Sequence, residues 1–124
     1  MATTCFTQLD VWKKSHQATL EVYLKTRQFP KEERFVLSYQ MRKAASSIGA
    51  NIAEGYGRRA PKDKAHFYTV ATGSAEELKN FLFLARDLGC MKDIAPLYAV
   101  VEAVSSMLRR LIESTLGDPS PKGR

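Results

Sequence analysis

Four cations crowd one short stretch of this sequence, Arg58, Arg59, Lys62 and Lys64. They flank Pro61, which suits the first turn of a helix because its φ is already helical and its missing N–H would find no partner there. A helix starting at Pro61 aims its unpaired amides at the same place, and amides together with cations form an anion site whose natural guest is phosphate. Lys13 and Lys14, then Lys25, Arg27, Lys31, Arg34 and Lys43, extend the basic character across the first half of the chain. The formal net charge is +6, from 19 Lys and Arg against 13 Asp and Glu. Residues 61–116 balance, so the excess lies before and after them. Such a balance favours a polyanion, RNA or DNA, or the acidic surface of a protein partner; the bland alternative is a solvated face.

A second set of polar residues is spaced for one helix face. Ser47, Asn51, Glu54 and Arg58 recur at steps of four, three and four, which draws a stripe along a helix. Ser74 stands on an otherwise apolar face with Glu77 one turn on, and Glu77 is expected level with Arg42 across an antiparallel pair, close enough for an ion pair. Arg42, Asn51, Glu54, Ser74 and Glu77 are read as structural polar groups that fix helix register. A small-molecule or metal site around Asn51, Glu54, Ser74 and Glu77 is the weaker alternative.

Signals for catalysis are sparse. A di-iron bundle needs two Glu-x-x-His pairs with further inward carboxylates, whereas His16 stands alone and His66 follows Asp63. Gly55-Tyr56-Gly57 opens like a dinucleotide fingerprint but lacks the third glycine and the preceding strand. Cys5 and Cys90 have no metal or disulfide spacing and are read as free thiols. No catalytic residue, metal or cofactor is assigned, and the protein is expected to be non-enzymatic.

The elements that must position these groups are helices. At 124 residues with 44% hydrophobic and 26% charged residues, the chain fits one globular domain. The longest stretch without a formal charge, Ala65 to Ala75, is well short of the roughly 17 residues a spanning helix needs. Met1 to Leu9 also lacks a secretory pattern. A cytoplasmic protein that does not use a membrane is expected.

Apolar spacing at three and four predicts a first helix over Leu9–Arg27 with Leu9, Trp12, His16, Leu20, Tyr23 and Leu24 on its inner stripe. A second runs from about Lys31 to Tyr56 with Leu37, Met41, Ala45, Ile48 and Ile52 inward. A third starts at Pro61 on a seam of Phe67, Ala71, Ser74, Leu78, Phe81, Ala85 and Leu88. A fourth starts near Asp93 with Leu97, Val101, Val104, Leu108 and Leu111 inward. Short loops between long helices predict an all-α, antiparallel up-down-up-down four-helix bundle over residues 1–116, followed by a disordered tail at 117–124. In that fold Gly73 is expected opposite Ala45, where close backbone approach would offset its helix cost of about 1 kcal/mol.

The third and fourth helices hold more apolar residues than one core can cover. Phe81 to Ala85 are consecutive, as are Leu97 to Val101; five consecutive positions surround a helix. Leu82, Phe83, Leu84, Tyr98 and Val100 are therefore read as an oligomer interface, with the chain itself as partner.

Several of these pieces together resemble a known family. The run from Arg42 through Ala44-Ala45-Ser46-Ser47-Ile48 and Asn51-Ile52-Ala53-Glu54-Gly55, then Arg58-Arg59, Ala71-Thr72-Gly73-Ser74 and Glu77-Leu78, is similar to bacterial four-helix bundle proteins found in intervening sequences of 23S ribosomal RNA genes. Leu9-Asp10-Val11-Trp12-Lys13-Lys14 and Phe29-Pro30-Lys31-Glu32-Glu33-Arg34-Phe35 add to the likeness, which covers roughly residues 6–116. Gly49 stands where relatives commonly have proline, and Ala60 where a Ser-like cap is usual. The resemblance implies a cytosolic bundle assembled as a homo-oligomeric ring, a pentamer. A related branch is the accessory protein of diversity-generating retroelements, which partners a reverse transcriptase and binds nucleic acid.

The expectation is a homo-oligomer that binds RNA or DNA without reading sequence. Its contacts are Arg58, Arg59, Lys62 and Lys64, with Lys13 and Lys14. The alternative is a protein-interaction scaffold that docks a partner such as a polymerase or reverse transcriptase.

Overall fold

The structure, a computed structural model, describes residues 5–117 apart from the side chain of Arg34. The described residues are all-helical, with no strand. A 3-10 turn at Phe6–Gln8 leads into α1 (Asp10–Thr26), a one-turn α2 (Lys31–Arg34), α3 (Leu37–Tyr56), α4 (Pro61–Asp87) and α5 (Ala95–Leu116). The tail expected from residue 117 lies, beyond Gly117 itself, outside the described residues.

Local chemistry sets the helix ends. Asp10 in the first turn and Lys25 in the last complement the dipole of α1. Pro61 opens α4 without side-chain help from Ala60, the residue at the cap position. Its end is a complete Schellman motif in which Gly89, at φ 82°, donates to Arg86 O (3.0 Å) and Cys90 donates to Ala85 O (2.8 Å). The Asp93 carboxylate accepts from Ala95 N at 3.0 Å where α5 begins.

Packing follows from cross-helix contacts. α3 packs on α1 and α4, and α5 on α4 and α1. Thr26 meets Arg42, Thr19 meets Ala45, and Ser15 lies beside Gly49. Ser47 meets Ser74, and Gly55 lies against Tyr68. Lys79 meets Glu102, and Phe83 meets Tyr98. In each set residue numbers rise along one helix as they fall along its neighbour.

The core is built from Val22, Met41, Ile48, Ile52, Leu78, Leu82, Val101, Val104 and Leu108, all fully buried. The inner faces expected for α3 and α5 are buried apart from Leu111, which is half-buried. Four expectations are corrected. First, α1 buries Val11, Ser15, Ala18, Val22 and Thr26, while Leu20, Tyr23 and Leu24 face outward and His16 stacks on Trp12 at the surface. The small residues allow the helix to approach its neighbours closely, which the bulkier stripe would not. Second, the helix expected over Lys31–Tyr56 is interrupted at Phe35 and Val36. That break lets Phe29 and Leu37 both turn into the core while Phe35 and Val36 turn out.

Third, the α4 seam holds only in part: Ala71, Ser74, Leu78 and Ala85 are buried as expected, but Phe67 and Phe81 are half-buried and Leu88 is exposed, while Tyr68, Ala75 and Leu82 turn inward. Fourth, Gly73 is exposed, and a Cβ built there would meet nothing within 4 Å, so no close helix approach explains it. The glycine that is tightly packed is Gly55, whose added Cβ would lie 2.7 Å from Tyr68 Cε1 and 3.1 Å from Lys64 O.

Candidate nucleic-acid interface

The turn between α3 and α4 brings Arg58, Arg59, Lys62 and Lys64 together, but not in equivalent states. Arg58 lies over the Phe67 ring and donates to Glu54 at 2.7 Å, one helical turn back. Lys64 reaches back to the last turn of α3, where its ammonium donates to Tyr56 O at 2.7 Å. That contact satisfies a carbonyl left open at the helix end and places positive charge at the negative pole of the α3 dipole. Arg59 and Lys62 are exposed and form no ion pair or side-chain hydrogen bond among the described residues. They are the two cations free to meet an anion. Asp63, in the first turn of α4, competes with an incoming anion for the helix amides.

The remaining predicted contacts stand nearby. Because α1 and α3 run in opposite senses, the first turns of α1 come level with the last turns of α3, and the Phe6–Gln8 turn touches α3. Lys13 is exposed and Lys14 half-buried on those first turns. The C-terminal half of α5 reaches the same end, where Arg110, Leu111 and Ser114 border a groove with Leu9 and Asp10. One end of the molecule thus carries Lys13, Lys14, Arg58, Arg59, Lys62, Lys64, Arg109 and Arg110, against Asp10, Glu54, Asp63 and Glu113.

The polar stripe forms, half-buried at Ser47 and Asn51 and exposed at Glu54 and Arg58. Ser47 and Ser74 share a hydrogen bond of 2.9 Å across α3 and α4. Asn51 Nδ2 donates to Ser47 O at 2.8 Å and to its hydroxyl at 3.1 Å. Glu54 closes the stripe on Arg58. Arg42 does not pair with Glu77: its Nε donates to Thr26 Oγ1 at 2.8 Å and its guanidinium lies over Tyr23, whereas Glu77 is exposed. Thr26 accepts because its own hydroxyl hydrogen already goes to Val22 O.

The five residues read as an interface also separate. Leu82 is 0% exposed and belongs to the core. The seam that buries Tyr68, Ala75 and Ala85 carries Leu82 inward with them. Phe83 and Leu84 are exposed, and Tyr98 and Val100 half-buried. Phe83 and Tyr98 pack ring to ring at 5.2 Å and border a groove of about 460 Å³ with Arg86, Lys92, Ile94 and Ala99.

One charged group was missed by sequence reasoning. Lys79 is 7% exposed and bridges α4 to α5 through Glu76 and Glu102. Burial by itself lowers its pKa, but the hydrogen bonds it donates to Glu76 and Glu102, with their negative charges, outweigh that and hold it above its ordinary value. The i,i+3 spacing of Glu76 and Lys79 was the available signal. Cys5 and Cys90 are free, as expected. The Thr7 hydroxyl, donating to the sulfur, lowers the Cys5 pKa. Burial first, then the nearby charges of Glu33 and Glu32, raise that of Cys90. Burial also raises the Tyr68 phenol.

A family model described as 23S rRNA-intervening sequence protein matches residues 7–110. The fold is similar to a crystal structure of a protein with unknown function from the S23 ribosomal protein family of Bacteroides thetaiotaomicron, with a TM-score of 0.76 and 22% identity. That match covers 83% of this chain and 98% of the other. No curated protein matches. No helix among the described residues is long and apolar enough to cross a membrane.

Proposed function

The chain belongs to the 23S rRNA-intervening sequence protein family, and from that premise we propose that it is a non-enzymatic, cytoplasmic homo-oligomer that holds RNA or DNA through a basic surface without reading sequence. Each subunit is an antiparallel up-down-up-down bundle, and five subunits form a ring. The observation that carries the reading is the basic end of the molecule, where Arg59 and Lys62 stand exposed and form no ion pair or side-chain hydrogen bond among the described residues. Arg58 and Lys64 contribute positive field although their hydrogen-bonding capacity is partly used. Long-range attraction needs only their charge. The test is titration of labelled single-stranded and duplex RNA and DNA between about 50 and 200 mM salt. Affinity should fall steeply, with a log–log slope of about −0.7 to −0.9 per phosphate contact. Binding that ignores salt refutes the proposal; no binding even at the lowest salt refutes it in favour of the scaffold alternative.

A further inference from the structure

The ring reading leaves open which surfaces meet, and the described residues hold two apolar patches of opposite shape. On the α1–α3 side, Phe35 is 85% exposed and projects from the break before α3 next to exposed Val36, and exposed Tyr39, one turn on, borders a cleft with Tyr23. These four expose on the order of 500 Å², taking aromatic side chains at about 150–250 Å² each. That is a large share of the roughly 800 Å² per partner in a stable interface. On the α4–α5 side lies the groove of about 460 Å³ lined by Phe83, Ile94, Tyr98 and Ala99.

Their placement matters as much as their chemistry. α1 and α4 each pack on α3 and α5, so the order around the molecule is α1, α3, α4, α5, and the two patches lie on faces that share no helix. They are also at one height. Ser74 meets Ser47, and nine residues onward from Ser74 and back from Ser47 set Phe83 level with Ser38, beside Tyr39. Charges can pair there as well: exposed Glu32, next to Lys31, precedes the Phe35 knob, and Arg86 and Lys92 stand with Asp93 on the groove rim.

We infer that the Phe35 knob of one copy seats in the Phe83–Tyr98 groove of the next. This rests on the oligomeric half of the proposed function and names its interface. A contact between two different patches is heterologous, and a heterologous contact closes into a ring or runs on as a filament; a two-fold dimer is excluded. Because knob and groove are level, the contact allows successive copies to stand side by side pointing the same way. The basic ends carrying Arg59 and Lys62 then share one rim, which multiplies weak phosphate contacts into avidity.

Sedimentation velocity on the full chain tests this with Phe35→Asp and Ala99→Glu, both at exposed positions, with circular dichroism to verify the helices. The wild type should sediment as a ring, and each variant as a 13.9 kDa monomer. Equal mixing of the two variants should give dimers and nothing larger, because the mixture holds one intact knob and one intact groove per pair. A wild-type monomer overturns the oligomer reading and the inference together. A wild-type ring with either variant still assembled, or with the mixture still monomeric, overturns the knob-in-groove contact alone. If a variant loses helicity, the readout passes to Phe35→Cys/Ala99→Cys on a Cys5→Ser/Cys90→Ser background. Oxidation should link neighbouring copies in that chain, and absence of links in an assembled ring refutes the contact.

Discussion

Replacing glycine by alanine at two helical positions should move stability in opposite directions. Gly73 lies inside α4, and nothing stands within 4 Å of an added Cβ. Alanine there keeps the helix, restricts the unfolded chain and adds no clash, so Gly73→Ala should stabilise by about 0.5–1 kcal/mol. Gly55 lies inside α3 with its added Cβ 2.7 Å from the buried Tyr68 ring and 3.1 Å from the Lys64 carbonyl. The same helix gain of up to about 1 kcal/mol is set against an overpacking cost of about 1–3 kcal/mol. The carbonyl belongs to α4 and cannot rotate away, which places the cost toward the upper end. Gly55→Ala should therefore destabilise by about 1–2 kcal/mol. Urea unfolding followed by circular dichroism, with the slope required to stay constant, measures both. In a domain of this size each kcal/mol corresponds to roughly 3–6 °C in melting temperature. A neutral or destabilising Gly73→Ala would show that this face is covered by something, and a stabilising Gly55→Ala would refute the packing argument.

Further outcomes follow from the same geometry. Ser74→Ala should cost about 1 kcal/mol by stranding the Ser47 hydroxyl, and a double-mutant cycle with Ser47→Ala should return a coupling of about 0.5–1 kcal/mol; zero coupling would dismiss the hydrogen bond. Glu102→Gln should destabilise by about 1 kcal/mol at neutral pH, leaving Lys79 with Glu76 alone. Because the folded Lys79 pKa is raised, the stability it contributes is full below its unfolded value of 10.5 and is lost as pH rises through the folded one. The gap between wild type and Glu102→Gln should therefore close in alkaline denaturation curves, and a gap constant with pH would contradict the bridge. Arg59→Ala/Lys62→Ala should flatten the salt dependence of RNA binding by about one to two phosphate contacts without changing stability. Lys64→Ala should instead lower the unfolding midpoint, since Lys64 caps α3 through Tyr56. If the first pair of substitutions leaves the slope unchanged, the interface lies elsewhere.

The helices, their order and most of their ends were legible in the chain, because periodicity, Pro61, Gly89 and Gly117 act within a few residues of themselves. The polar stripe from Ser47 to Arg58 was legible for the same reason, and Ser74 stands out in sequence as the polar residue on an apolar seam, although only packing supplies its partner, Ser47. Which face of α1 turns inward was not. Leu20, Tyr23 and Leu24 and the smaller set of Val11, Ser15, Ala18 and Val22 both repeat at helical spacing. Only contact with α3 and α5 selects the face that allows close approach. The same holds for the cations. Composition placed Arg58, Arg59, Lys62 and Lys64 in one turn, but neighbouring groups decide that Arg58 and Lys64 spend their donors on Glu54 and Tyr56 while Arg59 and Lys62 do not. Local residue chemistry determined what could form here, and long-range packing decided which of those groups was left facing outward to act.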